Sequence, residues 1–158
     1  MINITKEYEF DMAHRLENFD GLCNNVHGHR YRLLVTFARN DEQLCTDVGH
    51  NEGMVIDFKI VKGLVKKNIV DLMDHSFAYN NTDKVTTEIA MFLKEKINQK
   101  LFALPFRLTA EAMSEWIYKK VNKDIEDKDL PIKCTKVVLF ETPTCYAKYK
   151  EWELKKHQ

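Results

Sequence analysis

The sequence carries no net charge, because 24 lysine and arginine residues balance 24 aspartate and glutamate residues. Proteins that bind nucleic acid or an anionic membrane through their overall field need an excess of positive charge. The sequence also lacks an apolar run long enough to cross a bilayer, an internal repeat, and the charged-then-apolar order of a secretory signal at its start. We therefore expect a cytoplasmic protein that binds neither nucleic acid nor a membrane.

Cysteine is scarce as well. The four cysteines show neither Cys-x-x-Cys spacing nor the density of a disulfide framework: Cys23, Cys45, Cys134 and Cys145. In a reducing compartment they are expected to be free thiols. The 158 residues, 44% of them hydrophobic, suit a single domain spanning residues 1–158.

The order of hydrophobic patterns predicts two strands, three helices and then two strands. Period-two alternation marks strands near residues 2–14 and 27–37 and again over residues 133–141 and 145–154. We expect Asp57 to cap a helix that runs to about Met73, a second helix to follow Thr87 as far as Leu101, and Thr109 to cap a third. Residues 122–128 are expected to be a solvated connector. This order favours an α+β fold in which an antiparallel four-stranded sheet is covered on one face by helices.

Three histidines share the apolar parity of the first two predicted strands. His27 and His29 project to the same side of an extended chain, and Gly28 leaves the space between them open. His14 continues the apolar side of the first strand, so pairing of the two strands would bring all three imidazoles together. Three neutral imidazoles with one open position are typical of a catalytic zinc site.

Other interpretations of these residues stay open. A His-x-His pair in a strand is often only the polar end of an apolar face. Cys23, four positions before His27, could be a catalytic thiol, a fourth ligand in a closed structural site, or an ordinary loop residue.

Two further positions carry acidic groups with functional interpretations. Asp74 precedes His75 at a predicted helix end, where the carboxylate could orient the imidazole for acid–base work or could simply cap the helix. Glu141 ends an apolar row, where a buried carboxylate needs a partner. That partner could be a ligand with two adjacent N–H donors, or a lysine or arginine.

Six motifs occur in the order found in the 6-pyruvoyl-tetrahydropterin synthase family, and nearly the whole chain resembles that family. They are Phe10-Asp11-Met12-Ala13-His14, Cys23-Asn24-Asn25-Val26-His27-Gly28-His29, Gly53-Met54-Val55-Ile56-Asp57-Phe58, Asp74-His75, Leu108-Thr109-Ala110-Glu111 and Glu141-Thr142-Pro143-Thr144.

The resemblance implies the tunnelling fold (T-fold), an oligomeric barrel with active sites at subunit contacts, and a homo-oligomer that we expect to be a hexamer. It implies a pterin triphosphate substrate, 7,8-dihydroneopterin triphosphate, and a bound Zn²⁺. Its residue roles, carried onto this sequence, are His14, His27 and His29 as zinc ligands and Cys23 as the catalytic thiol. Asp74 and His75 become a second proton-transfer element, and Glu141 the anchor of the pterin's amino-pyrimidine edge.

The short Cys-x-x-x-His-Gly-His spacing resembles the 6-carboxy-5,6,7,8-tetrahydropterin synthases of 7-deazaguanine and queuosine biosynthesis. We therefore expect a lyase that releases acetaldehyde and triphosphate, with 6-pyruvoyl-tetrahydropterin formation or a non-catalytic zinc- and pterin-binding subunit as alternatives. The sequence departs from the family at Leu108, where proline is common, and at Ala112, where asparagine is common. The segment 76–108 is also longer than in compact bacterial relatives.

Overall fold

The computed structural model describes residues 2–150. The strands are β1 Ile4–His14, β2 His27–Arg39, β3 Ser76–Asn80, β4 Leu101–Leu104, β5 Ile132–Phe140 and β6 Tyr146–Tyr149. The helices are α1 Phe58–Val65, a π-helical turn Lys66–Val70, α2 Asp71–Met73, α3 Lys84–Ile97 and α4 Ala110–Glu126, with a short 3₁₀ turn at Leu22–Asn24.

The strands form one six-stranded sheet in the order β4-β3-β1-β2-β5-β6. The four predicted strands are present, and they pair antiparallel as β1–β2, β2–β5 and β5–β6. The predicted count of four strands is wrong, because β3 and β4 extend the sheet beside β1 in parallel pairing. All five residues of β3 are buried, so this strand shows no period-two alternation in sequence. The remainder of the last predicted strand, residues 151–154, lies outside the described residues.

Two predicted helix caps are confirmed. Asp57 accepts a hydrogen bond from the Lys59 amide at 2.8 Å, and Thr109 accepts one from Ala112 at 3.2 Å. The helical path that begins at Phe58 ends at Met73, as predicted, after passing through the π-helical turn.

The ends of the other two helices differ from the prediction. Helix α3 ends before Asn98, which adopts a left-handed conformation with φ of 54°, so Leu101 belongs to β4 rather than to the helix. The solvated connector predicted over residues 122–128 is also wrong. Helix α4 continues to Glu126 and buries Asp124 and Ile125 against the rest of the protein.

The main core lies between one face of the sheet and helices α1, α2 and α4. Alternate residues of β1 and β2, among them Phe10 and Tyr31, fill this side. Helix α3 instead packs Ala90 against Phe77 and Tyr79, which project from the opposite face. The prediction that the helices cover one face therefore holds for α1, α2 and α4 and fails for α3. Within residues 2–150, no helix has the length and hydrophobicity that a membrane span requires.

We predict that Asn122→Ala destabilises the fold by about 1–3 kcal/mol, because Asn122 satisfies both backbone groups of Cys134 where β5 is irregular. The Asn122 amide accepts from the Cys134 N–H at 2.8 Å and donates to its carbonyl at 3.2 Å. Urea unfolding measures the change, with Asn51→Ala in an exposed loop as the control. Equal midpoints for the two variants would contradict the prediction.

Candidate metal centre

The register of β1 and β2 brings the three histidines together. His14 at the end of β1 lies directly opposite His27 at the start of β2, and Met12 lies opposite His29. All three side chains project toward the core side, and one ring nitrogen of each lies within 4.8 Å of the other two. The structure thus gathers these residues at one end of the sheet, while their role as metal ligands stays a prediction.

The spacing of the three rings suits a tetrahedral metal ion. Their centroids are 4.6 Å (His14–His27), 4.9 Å (His27–His29) and 5.5 Å (His14–His29) apart. Zinc–nitrogen bonds of about 2.0–2.1 Å place tetrahedral ligand nitrogens roughly 3.4 Å apart. Small side-chain rotations would bring the three nitrogens to that separation.

Hydrogen bonds on the far side of two rings fix their tautomers. His14 Nδ1 lies 3.0 Å from the Leu108 carbonyl, and His27 Nδ1 lies 2.8 Å from the Asn25 carbonyl. A carbonyl only accepts, so each Nδ1 carries the proton and each Nε2 keeps its lone pair. The Nε2 atoms of His27 and His29 are buried without a hydrogen-bond partner, an arrangement that a bound cation would satisfy.

The surroundings also keep these imidazoles uncharged. Burial lowers the pKa of His14 to about 4; the neighbouring His27 lowers it further, and the hydrogen bond to Leu108 opposes the shift. Burial likewise lowers the pKa of His29, against the opposing charge of Glu141. Both residues are therefore neutral near pH 7, the form that binds a metal.

Glu141 and Tyr31 adjoin the histidines. Glu141 Oε1 lies 3.5 Å from His14 Nε2 and 3.9 Å from His29 Nε2, and it accepts a long hydrogen bond of 3.4 Å from the Tyr31 hydroxyl. Among the described residues, Glu141 lies against these two neutral imidazoles and forms no ion pair with a lysine or arginine. Burial raises the pKa of Tyr31 well above its usual range, and the Glu141 carboxylate adds to this effect. Tyr31 therefore stays protonated as a donor.

Sequence reasoning placed Tyr31 only among the alternating core residues of the second strand. Its hydroxyl lies 3.3 Å from His14 Nε2, which makes it a member of the site. The available signal was its parity, which it shares with His27 and His29.

Cys23 lies in the 3₁₀ turn between β1 and β2 and is partly exposed. Its carbonyl accepts from the Leu16 amide at 2.8 Å, which fixes the turn against the residues that follow β1. Cys23 follows His14 by nine residues and precedes His27 by four, so its turn connects the two strand ends that carry these histidines. Among the described residues, the cluster of potential ligands holds the three histidines without Cys23, which does not favour a closed four-ligand site.

Asp74 and His75 form a hydrogen-bonded pair where α2 meets β3. Asp74 Oδ1 lies 2.9 Å from His75 Nδ1 and accepts from the Asp11 amide at 3.0 Å. Partial burial alone would raise the pKa of Asp74, but the hydrogen bonds from Asp11 and His75 outweigh it and lower the pKa. The ionised carboxylate orients an imidazole that is 75% exposed.

The Asp74–His75 pair and the histidine cluster lie on opposite faces of the sheet. Asp11 lies beside the pair. Because side chains alternate along β1, Asp11 projects to the outer face of the sheet, the face opposite to that of the core residue Met12. There its carboxylate binds Arg30 at 2.9–3.0 Å. His75 lines a cleft of 430 Å³ together with Asp11, Gly28, His29 and Arg30, and Cys23 is not among the residues that line it. His29 therefore borders both the histidine cluster and the cleft of His75.

Comparison with known proteins places the chain among pterin enzymes. The sequence model of a family described as 6-pyruvoyl tetrahydropterin synthase matches residues 3–152. A protein of Haemophilus influenzae named 6-carboxy-5,6,7,8-tetrahydropterin synthase is 40% identical over 96% of this chain and 100% of its own length. A protein of the same name from Aquifex aeolicus is 32% identical over 94% of this chain and 97% of its own length.

Solved structures agree at the level of the fold. An uncharacterized protein from Wolinella succinogenes superposes with a TM-score of 0.75 at 18% identity, covering 96% of this chain and 98% of that protein. The 6-pyruvoyl tetrahydropterin synthase of Caenorhabditis elegans superposes with a TM-score of 0.61 at 23% identity, covering 96% of both chains. The predicted α+β tunnelling fold is confirmed. With a family match over residues 3–152 and a relative 40% identical along its whole length, the chain belongs to the 6-pyruvoyl tetrahydropterin synthase family.

Proposed function

We propose that this protein is a zinc-dependent 6-carboxy-5,6,7,8-tetrahydropterin synthase. It would convert 7,8-dihydroneopterin triphosphate to 6-carboxytetrahydropterin, acetaldehyde and triphosphate, a step of 7-deazaguanine and queuosine biosynthesis. The observation that carries the proposal is the cluster of three histidines, two of them with buried and unpartnered Nε2 atoms. The relative that is 40% identical and bears this enzyme name supports the choice of reaction.

The three histidines would hold the zinc, with a fourth position left for substrate. Bound there, zinc would act as a Lewis acid on the side-chain hydroxyls of the substrate and acidify the neighbouring C–H. The hydrogen bonds from His14 to Leu108 and from His27 to Asn25 keep both Nε2 atoms available to the ion.

Cys23, as a thiolate, would remove the proton from the substrate carbon. Its turn connects the strand ends that carry His14 and His27. Glu141 would accept the two adjacent N–H donors of the amino-pyrimidine edge. Its side chain is 27% exposed and lies against His14 and His29, so it can meet a ligand that also reaches the metal.

His75, oriented by Asp74, would return a proton from the other side of the substrate. Because Asp11, which lies beside this pair, and His14 have opposite parity on β1, we propose that the two elements of one active site come from neighbouring copies in a homo-oligomer, which we expect to be a hexamer. The outer-face cleft beside His75 leaves its imidazole accessible to a second copy.

We predict that the zinc-loaded protein, incubated with 7,8-dihydroneopterin triphosphate, yields a carboxy-pterin and trapped acetaldehyde in equal amounts by mass spectrometry. A pyruvoyl-pterin without acetaldehyde would instead assign the 6-pyruvoyl-tetrahydropterin synthase reaction. Binding without turnover would contradict both and leave a non-catalytic zinc- and pterin-binding subunit.

We predict that His27→Ala weakens zinc binding by more than the roughly 10- to 100-fold typical of losing an outer hydrogen-bond partner, because it removes a direct ligand. Inductively coupled plasma mass spectrometry after dialysis against a weak chelator measures the retained metal. His50→Ala is the matched control, since the His50 side chain is 82% exposed and pairs only with Asp57 at 3.6 Å. Equal zinc contents in the two variants would remove His27 from the site.

We predict that Cys23→Ala and His75→Ala each lower turnover by roughly 10²- to 10⁴-fold, the usual contribution of a positioned acid or base. Co-expressing the two variants with different affinity tags should restore about one quarter of wild-type activity, because random mixing leaves about one site in four with both residues. Cys145→Ala, at an exposed thiol, is the control. No recovery in purified mixed oligomers would mean that both residues act from the same chain.

A further inference from the structure

Arg107 carries two buried donors that no part of the proposed mechanism uses. It lies between β4 and α4, immediately before Leu108, whose carbonyl binds His14. Its Nε and Nη2 atoms are buried and have no hydrogen-bond partner among the described residues. A guanidinium cannot be deprotonated in a protein, so buried donors of this kind need an acceptor.

Nε and Nη2 form the edge with which an arginine grips an oxyanion through two parallel hydrogen bonds. Two other arginines of this protein use that edge on carboxylates. Arg30 binds Asp11 through Nε at 3.0 Å and Nη2 at 2.9 Å, and Arg39 binds Asp41 through both atoms at 3.1 Å. Both of those pairs involve exposed carboxylates. The corresponding edge of Arg107 is buried and has no hydrogen-bond partner among the described residues.

Arg107 contacts the loop that runs between His14 and the turn of Cys23. Its guanidinium carbon lies 5.7 Å from the centre of the Phe19 ring. Phe19 belongs to the loop that runs from His14 to Cys23. Arg107 thus lies between the segment that holds a proposed metal ligand and the loop that carries the proposed catalytic thiol.

We propose that Arg107 binds the triphosphate chain of the substrate with its Nε and Nη2 donors, an inference that rests on the proposed function. A phosphate presents two oxygens at the spacing that this edge accepts, and its charge offsets that of the guanidinium. The cation–π contact with Phe19 holds the guanidinium plane without occupying the Nε and Nη2 edge. The remainder of the substrate would extend from this anchor toward the three histidines.

Glu17 is the competing partner. Its Oε1 accepts from Asn80 Nδ2 at 2.7 Å, but its Oε2 is also buried without a hydrogen-bond partner. Glu17 is two residues from Phe19, so a rearranged loop could pair Arg107 with Glu17 instead of with a phosphate. The two possibilities differ in what Arg107→Gln changes. A phosphate partner predicts a loss of anion affinity, whereas a Glu17 partner predicts a loss of folding stability that is coupled to Glu17.

Isothermal titration of the metal-free protein with inorganic tripolyphosphate tests the proposal without relying on turnover. We expect Arg107→Gln to weaken tripolyphosphate binding roughly 10- to 100-fold, the range for losing charged hydrogen bonds. Arg107→Lys should recover only part of the loss, because a lysine keeps the charge without the paired donors. Arg39→Gln is the control, since Arg39 binds Asp41 at the far end of β2. Inorganic phosphate, titrated in parallel, should bind more weakly than tripolyphosphate.

Kinetics supply the second arm. In the active enzyme, Arg107→Gln should raise KM for 7,8-dihydroneopterin triphosphate by a similar factor, whereas zinc content and the thermal midpoint should stay at the values of Arg39→Gln. Unchanged tripolyphosphate affinity in a folded Arg107→Gln variant overturns the proposal. The proposal is also overturned if the two substitutions Arg107→Gln and Glu17→Gln are strongly coupled in their effects on the free energy of unfolding while tripolyphosphate affinity is unchanged. If tripolyphosphate binds through Arg107 but no pterin turns over, the proposed function fails and the anion site stands.

Discussion

The hydrogen bond between His14 Nδ1 and the Leu108 carbonyl is the contact on which the site depends. It joins the end of β1 to the segment that enters α4, so that the sheet and the longest helix are fixed at the same point. It also decides which nitrogen of His14 faces the other two imidazoles. The residues beside Leu108 act on either side of this contact, since Thr109 caps α4 and Arg107 presents its buried edge. One hydrogen bond therefore both orients a proposed metal ligand and fixes the sheet to the helix.

The buried polar groups around that contact include two ring nitrogens, His27 Nε2 and His29 Nε2, that have no hydrogen-bond partner among the described residues. Burial keeps His14 and His29 neutral and Tyr31 protonated, while Glu141 lies against them with a carboxylate. Unpartnered Nε2 atoms and a nearby carboxylate together favour a positive charge at the centre of the cluster. This arrangement would be unfavourable as a purely structural core, because apolar residues of the same volume would fill the space without orphaned acceptors.

Much of this site could be predicted from sequence because the two strands that build it are half-buried and alternate regularly. The parity of His14, His27 and His29 survives in the structure, and so do the caps at Asp57 and Thr109. Strands β3 and β4 were not predicted because both are short. In addition, β3 is buried on both faces, so its sequence shows no alternation of polar and apolar residues. The end of α4 was not predicted for a different reason. Its composition is that of a solvated loop. The i,i+4 pairs Lys120–Asp124 and Lys123–Asp127 support the helix locally. Tertiary contacts of Asn122 with Cys134 and of Asp124 with Asn68 add to them.

The same alternation that gathers the histidines also separates them from Asp74 and His75. Asp11 supports that pair through its backbone and lies one residue from Met12 on β1, so neighbouring residues of one strand serve opposite faces of the sheet. The cleft of His75 reaches His29 but not Cys23. In the proposed assembly, a second copy whose His75 cleft meets the Cys23 turn would supply the missing group. In that arrangement catalysis requires the oligomer, because a monomer with every residue intact would not bring Cys23 and His75 to the same substrate.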